Sequence, residues 1–70
     1  MTFNSYNAVG IAEGFEENPG TTEEERYDIL VGAWQYLIDT GMAWTLQGWF
    51  GRAAASLIEQ GVCTPKGGNQ

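Results

Sequence analysis

The sequence predicts an all-α domain of three helices. Three observations predict it: two helix stops written in nearly the same words, apolar residues at helical spacing in three separate segments, and no run that reads as a strand. The stops are Leu37-Ile38-Asp39-Thr40-Gly41-Met42 and Leu57-Ile58-Glu59-Gln60-Gly61-Val62. Each is an apolar pair, an acid, a polar residue, a glycine and an apolar residue. Glycine takes the left-handed position past the last turn, and the next apolar residue folds back onto the helix. Upstream the copies differ, Gly32-Ala33-Trp34-Gln35-Tyr36 against Arg52-Ala53-Ala54-Ala55-Ser56. The likeness is therefore read as helix-ending chemistry used twice, not as a duplication.

The first helix is expected at about 4–16, from Ala8, Ile11, Ala12 and Phe15 at i, i+3, i+4 and i+7. Gly10 and Gly14 weaken it by about 1 kcal/mol each relative to alanine. Pro19-Gly20 marks a turn. The second helix is expected at about 22–40. Thr21 with Glu24, or Thr22 with Glu25, fits a capping box at its start. Tyr27, Leu30, Val31, Trp34, Leu37 and Ile38 form its apolar stripe, flanked by Ile29, Ala33 and Tyr36. Asp28, Gly32, Gln35 and Asp39 are left to face outward, so this helix needs neighbours on more than one side. Met42–Thr45 reads as a tight connector. The third helix is expected at about 45–60, capped by Thr45 or starting near Ala43, with Leu46, Trp49, Phe50, Ala53, Leu57 and Ile58 inward. Gly48, Gly51 and Ala55 make a small-residue face open to another backbone. Thr64-Pro65 confirms the last stop. Residues 1–65 form a single helical domain, and 66–70 a mobile tail.

A chain of 70 residues buries a modest core and needs help to be stable. One cysteine, Cys63, excludes an internal disulfide, and with no histidine a structural zinc is not expected. Nine aromatic residues supply the alternative, tight packing or self-association. No signal peptide and no run of roughly 20 apolar residues is read, so a cytosolic protein without a membrane segment is expected. Residues 1–28 hold seven acids and one base, and residues 29–70 two acids and two bases, so the whole net charge of -6 falls in the first stretch. Direct nucleic-acid binding needs clustered Lys and Arg and is not expected.

No residue set points to catalysis, to a metal or to a cofactor. Cys63 has no histidine or cationic cluster to activate it, and the acids lie on a polar stretch rather than in an apolar cleft. The candidate partner-binding residues are Glu23, Glu24, Glu25, Asp28, Trp44, Trp49, Phe50 and Arg52. Each has a plainer reading. The acids of a first helical turn complement the helix dipole. Trp44, Trp49 and Phe50 pack a core or form a partner or dimer surface. Arg52 pairs with Asp39 or with the carbonyls that end the second helix, or anchors an anion.

The run from Leu37 to Cys63 resembles a family of very short phage-encoded proteins of unknown function. They share the pattern L-I-D-T-G-x-A-W-x-L-Q-G-x-(Y/F)-G-R-x-A-x-x-L-I-E-x-G. Many members carry a histidine where this chain has Trp49, so no catalytic histidine is implied. The resemblance implies a bacteriophage or prophage origin and a reduced, host-cytosolic setting, and brings no activity. The expectation is a small acidic, non-catalytic interaction module that binds an unidentified host or phage protein. The alternative is a self-assembling helical protein, possible as a homodimer, that buries the apolar face of its second helix.

Overall fold

The computed structural model describes residues 2–14, 17–46 and 48–65. It holds three α-helices and one short 3-10 turn: α1 (Ser5–Glu13), α2 (Glu23–Asp39), the turn Met42–Trp44, and α3 (Gly48–Glu59). The helical class is as the sequence predicts, with shorter helices.

Helix α1 begins with a capping box that the sequence reading did not identify. The Asn4 side chain accepts from the Asn7 N–H at 2.8 Å, and the Asn7 side chain accepts from the Asn4 N–H at 2.9 Å. The helix ends at Gly14, whose φ of 88° is left-handed. Gly14 is therefore a stop and not a weak interior residue. The expected stripe residue Phe15 and its neighbour Glu16 lie outside the described residues.

Helix α2 is the spine. Its cap settles the register: the Thr22 hydroxyl accepts from the Glu25 N–H at 3.1 Å. The Glu25 carboxylate reaches one residue further back, accepting from the Thr21 N–H at 2.9 Å and the Thr21 hydroxyl at 2.7 Å. Both threonines of the ambiguous pair are used, in different roles. The turn before α2 is docked on Arg26. Its guanidinium donates to the Asn18 and Gly20 carbonyls at 3.2 and 3.3 Å, and the Asn18 amide donates to the Arg26 carbonyl at 2.9 Å. A Cβ at Gly20 would lie 2.7 Å from the Arg26 backbone nitrogen.

Three faces of α2 are covered by three different partners. Helix α1 packs on one, with Ala8 and Ile11 buried and the Phe3 ring 6.2 Å from that of Tyr36. Gly32, expected to face outward, lies under Phe3: a Cβ there would meet the ring at 2.9 Å. Ala33, Trp34, Leu37 and Ile38 are buried in one core with Ala8 and Ile11, Ala43 of the 3-10 turn, and Phe50 and Ala54 of α3. The chain after Gly61 returns along a third face, where Gln35, also expected to face outward, bonds Thr64.

The two similar stops are built differently. At Gly61 (φ 81°) the Val62 N–H bonds the Leu57 carbonyl and the Gly61 N–H the Ile58 carbonyl, a complete Schellman motif. At Gly41 (φ 82°) only the inner bond, to Ile38, is matched, and the Met42 N–H turns to the Thr40 hydroxyl. The chain then coils straight into the 3-10 turn through Trp44 N–H to Gly41 carbonyl. Thr45 closes that turn by donating to the Met42 carbonyl, so it does not cap α3, and α3 does not begin at Ala43.

The stripe assigned to α3 needs correction. Phe50 is buried and Ala54 is fully buried, although Ala54 was not in the expected stripe, whereas Trp49 is 38% exposed. The small-residue face receives no helix: Gly48 and Ala55 are exposed, and Gly51 takes the Trp44 ring and the Ala43 carbonyl.

Gly20→Ala is expected to lower stability by about 1–3 kcal/mol, because the new methyl group meets backbone that cannot move aside. The urea midpoint measures this, and an unchanged midpoint would contradict the docking of the turn on Arg26.

Candidate functional site

The eight candidate residues fall into four situations. Phe50 is 2% exposed and belongs to the core. Its ring lies 4.2 Å from that of Trp49 in a stack and 5.8 Å from that of Trp34. Glu25 is turned back onto Thr21 and works as a cap. The Thr21 hydroxyl, and then the Thr21 N–H, hold its carboxyl below the ordinary value of 4.5. Arg52 is exposed on α3 and lies back toward Gly48. It does not pair with Asp39, which accepts from the Gln35 amide at 3.0 Å. The carbonyls that end α2 are taken by Thr40 and Gly41. Glu23, Glu24, Asp28, Trp44 and Trp49 remain as surface.

These five do not form one patch. Helix α2 is about 25 Å long at 1.5 Å per residue, with the acids at its start and Trp44 beyond its end. Trp44 is 49% exposed and rests on Gly51, on the opposite flank of the Phe50 line from Trp49. Trp49 has a different neighbour: its ring meets the Trp34 ring edge-on at 6.1 Å. Trp34 shares a helical face with Leu30, Tyr27 and Glu23, at spacings of four, three and four residues. Along that face Trp34 is buried beneath Trp49, Leu30 is half-buried, and Tyr27 is 56% exposed. Glu23 ends the line, Glu24 flanks it, and Asp28 lies further round the helix.

Tyr27, which the apolar spacing assigns to the core stripe, is exposed. Its spacing does place it on the core-facing side. Nothing in the spacing says how far along that side the neighbouring helices reach. Tyr6, 80% exposed on α1, was also not singled out.

Among the described residues no group of three His, Cys, Asp or Glu side chains could hold a metal ion, and no helix is long and apolar enough to cross a membrane. The Cys63 thiol is buried; burial first, then the Asp39 carboxylate, pushes its pKa up from 9.0. It is thus held in the neutral form, the reverse of what a nucleophile requires.

A family model described as a domain of unknown function (DUF7417) matches residues 22–69. The match begins at the threonine that caps α2 and leaves out α1. No curated protein and no solved structure matches the chain.

The depressed Glu25 carboxyl gives a pH prediction. Its folded pKa lies below the unfolded one, so its stabilisation is present above about pH 4.5 and lost as the pH falls through the folded value. Urea midpoints of the wild type and of Glu25→Gln should differ at pH 7, and the difference should shrink as the pH falls below about 4.5. A difference that does not change with pH would contradict the assignment.

Proposed function

The chain belongs to the DUF7417 family, a domain of unknown function, and we propose that it is a non-catalytic interaction module that binds a protein through the Glu23–Tyr27–Leu30–Trp49 face. One observation carries this reading: Trp49, 38% exposed, meets Trp34 at 6.1 Å, and the helical spacing of seven residues puts Tyr27, 56% exposed, on the same side of α2 as Trp34. Tyrosine and tryptophan dominate binding hot spots because they offer large rigid area at small entropic cost. Burying the exposed part of each supplies apolar contact, while Tyr27 keeps a hydroxyl for a polar partner.

Glu23 and Glu24 at one end of the face favour a partner with basic residues at the matching edge. The likeness of residues 37–63 to short phage proteins favours a host or phage protein in the cytosol of an infected cell as that partner. A second copy of this chain is the competing occupant. Its acids would meet the same acids across any arrangement that brings the two Glu23 ends together, and like charges there oppose pairing.

Tyr27→Ala tests the reading with little risk to the fold, since a side chain this exposed contributes little to the core. The urea midpoint should stay within about 0.5 kcal/mol of wild type. The amount of any host protein captured by the immobilised chain should fall at least about tenfold, as loss of a hot spot requires. Trp44→Ala is the control and should retain capture. Equal capture by all three proteins, or loss only with Trp44→Ala, would overturn the assignment of the face.

A further inference from the structure

Gln35 makes a contact of unusual form. Its amide nitrogen donates to the Thr64 carbonyl at 2.9 Å, and its amide oxygen accepts from the Thr64 N–H at 2.9 Å. One side-chain amide thus bonds both polar groups of a single backbone residue, 29 positions away in sequence. An extended residue points its own N–H and C=O to the same side, as in the hydrogen-bonded pair of an antiparallel ladder. Gln35 therefore stands in for a strand residue. Pro65 favours this geometry, because the residue before a proline is pushed toward extended backbone.

Among the described residues, the other hydrogen bonds of the segment come from Cys63 alone. Thr64 and Pro65 are exposed. Cys63 is buried, with its sulfur 4.0 Å from the Val31 carbonyl, a weak contact. The Val62 and Cys63 N–H groups share one acceptor, the Leu57 carbonyl, at 2.9 and 3.1 Å. At the root of the segment the Gly61 and Val62 N–H groups complete the stop of α3, so α3 does not need Cys63–Pro65 for it.

We infer that Cys63–Pro65 is a latched strap, which opens and recloses as a unit while the three helices stay folded, and that the Gln35 amide is the latch. Opening uncovers the thiol and the Val31–Gln35 side of α2. The strap is independent of the binding face proposed above and stands or falls without it. Segments with few buried apolar contacts and exposed hydrogen bonds open at lower free energy than the core, and both hydrogen bonds of Thr64 converge on Gln35, so the two break together.

The thiol is its own reporter, because Cys63 is the only cysteine in the chain. The experiment is the rate of reaction with excess Ellman's reagent at pH 8, in native buffer and at urea concentrations below the unfolding transition. In the wild type the rate should be well below that of the urea-unfolded chain and nearly independent of urea, since strap opening exposes little surface. Gln35→Ala should raise the native rate about tenfold, the effect of losing two neutral hydrogen bonds. Pro65→Ala should raise it about two- to fivefold by loosening the backbone before it. Ile11→Val, at the α1 contact, lowers global stability without touching the strap and should leave the rate unchanged.

A wild-type rate that climbs steeply with urea from the lowest concentrations would overturn the inference, because the thiol would then be reached by global unfolding. So would a folded Gln35→Ala chain with the wild-type rate, or equal acceleration by Ile11→Val. Should Gln35→Ala not fold, the urea dependence of the wild type and the rate of Pro65→Ala decide alone.

Discussion

The packing of Phe50 against Trp34 fastens α3 to the spine, and the layout of everything after Gly41 depends on it. The two rings lie 5.8 Å apart, and Trp49 stacks on the same Phe50 at 4.2 Å. Burying a phenylalanine contributes about 1.5–3 kcal/mol by transfer alone, and aromatic pairs about 0.5–1.5 kcal/mol more. For a domain of this size those are large shares of a net stability on the order of 5 kcal/mol. The 3-10 turn reinforces the junction by wedging Ala43 into the core beside α2 and α3. With the α2–α3 junction set, Gly61 turns the chain back toward α2, and only then can Thr64 reach Gln35.

The same junction creates the exposed aromatics. Trp49 meets Trp34 edge-on and stacks on Phe50, so it takes the outer layer of this aromatic group, and part of its surface meets water. Tyr27 lies about 10 Å down the helix from Trp34, seven residues at 1.5 Å each, where it is more than half exposed. A spine helix needs apolar residues along its whole length to satisfy three partners, and the partners are of unequal length. The uncovered remainder is the face proposed above for binding, and it arises without any residue being placed there at a cost to the fold. Trp44 shows the other outcome: it is held on Gly51 and half-exposed, but on the far flank, remote from the acids.

How much of this the sequence carries depends on how local the cause is. Helix ends are local, and Thr22, Gly41 and Gly61 sit where capping and stop chemistry put them. The number and order of the helices follow from the same signals. The length of α1 does not, because Gly14 reads equally as a weak interior residue or as a stop, and only the chain beyond it decides. Facing is less local. Gly32 and Gln35 look solvent-facing beside an apolar stripe, yet one makes room for Phe3 and the other holds Thr64, partners distant in sequence. Arg52 and Asp39 carry opposite charges and invite pairing, but the distance between helix faces is not written in either residue. Of the candidate site, Glu23 and Trp49 carry over to the binding face; Tyr27 was legible as to side but not as to cover. The family match spans α2 to the strap and brings no function with it, so the reading rests on these contacts.

The face of α2 from Glu23 through Tyr27 to Trp49 is proposed to be left open by the fold and closed by a protein partner. Hydroxyl-radical footprinting of the free chain and of the chain recovered with a captured partner decides this. Tyr27 and Trp49 should be oxidised readily in the free chain and protected in the complex, while Trp44 and Tyr6 should be oxidised equally in both. Protection centred on Trp44 or Tyr6, with Tyr27 and Trp49 unchanged, would contradict it.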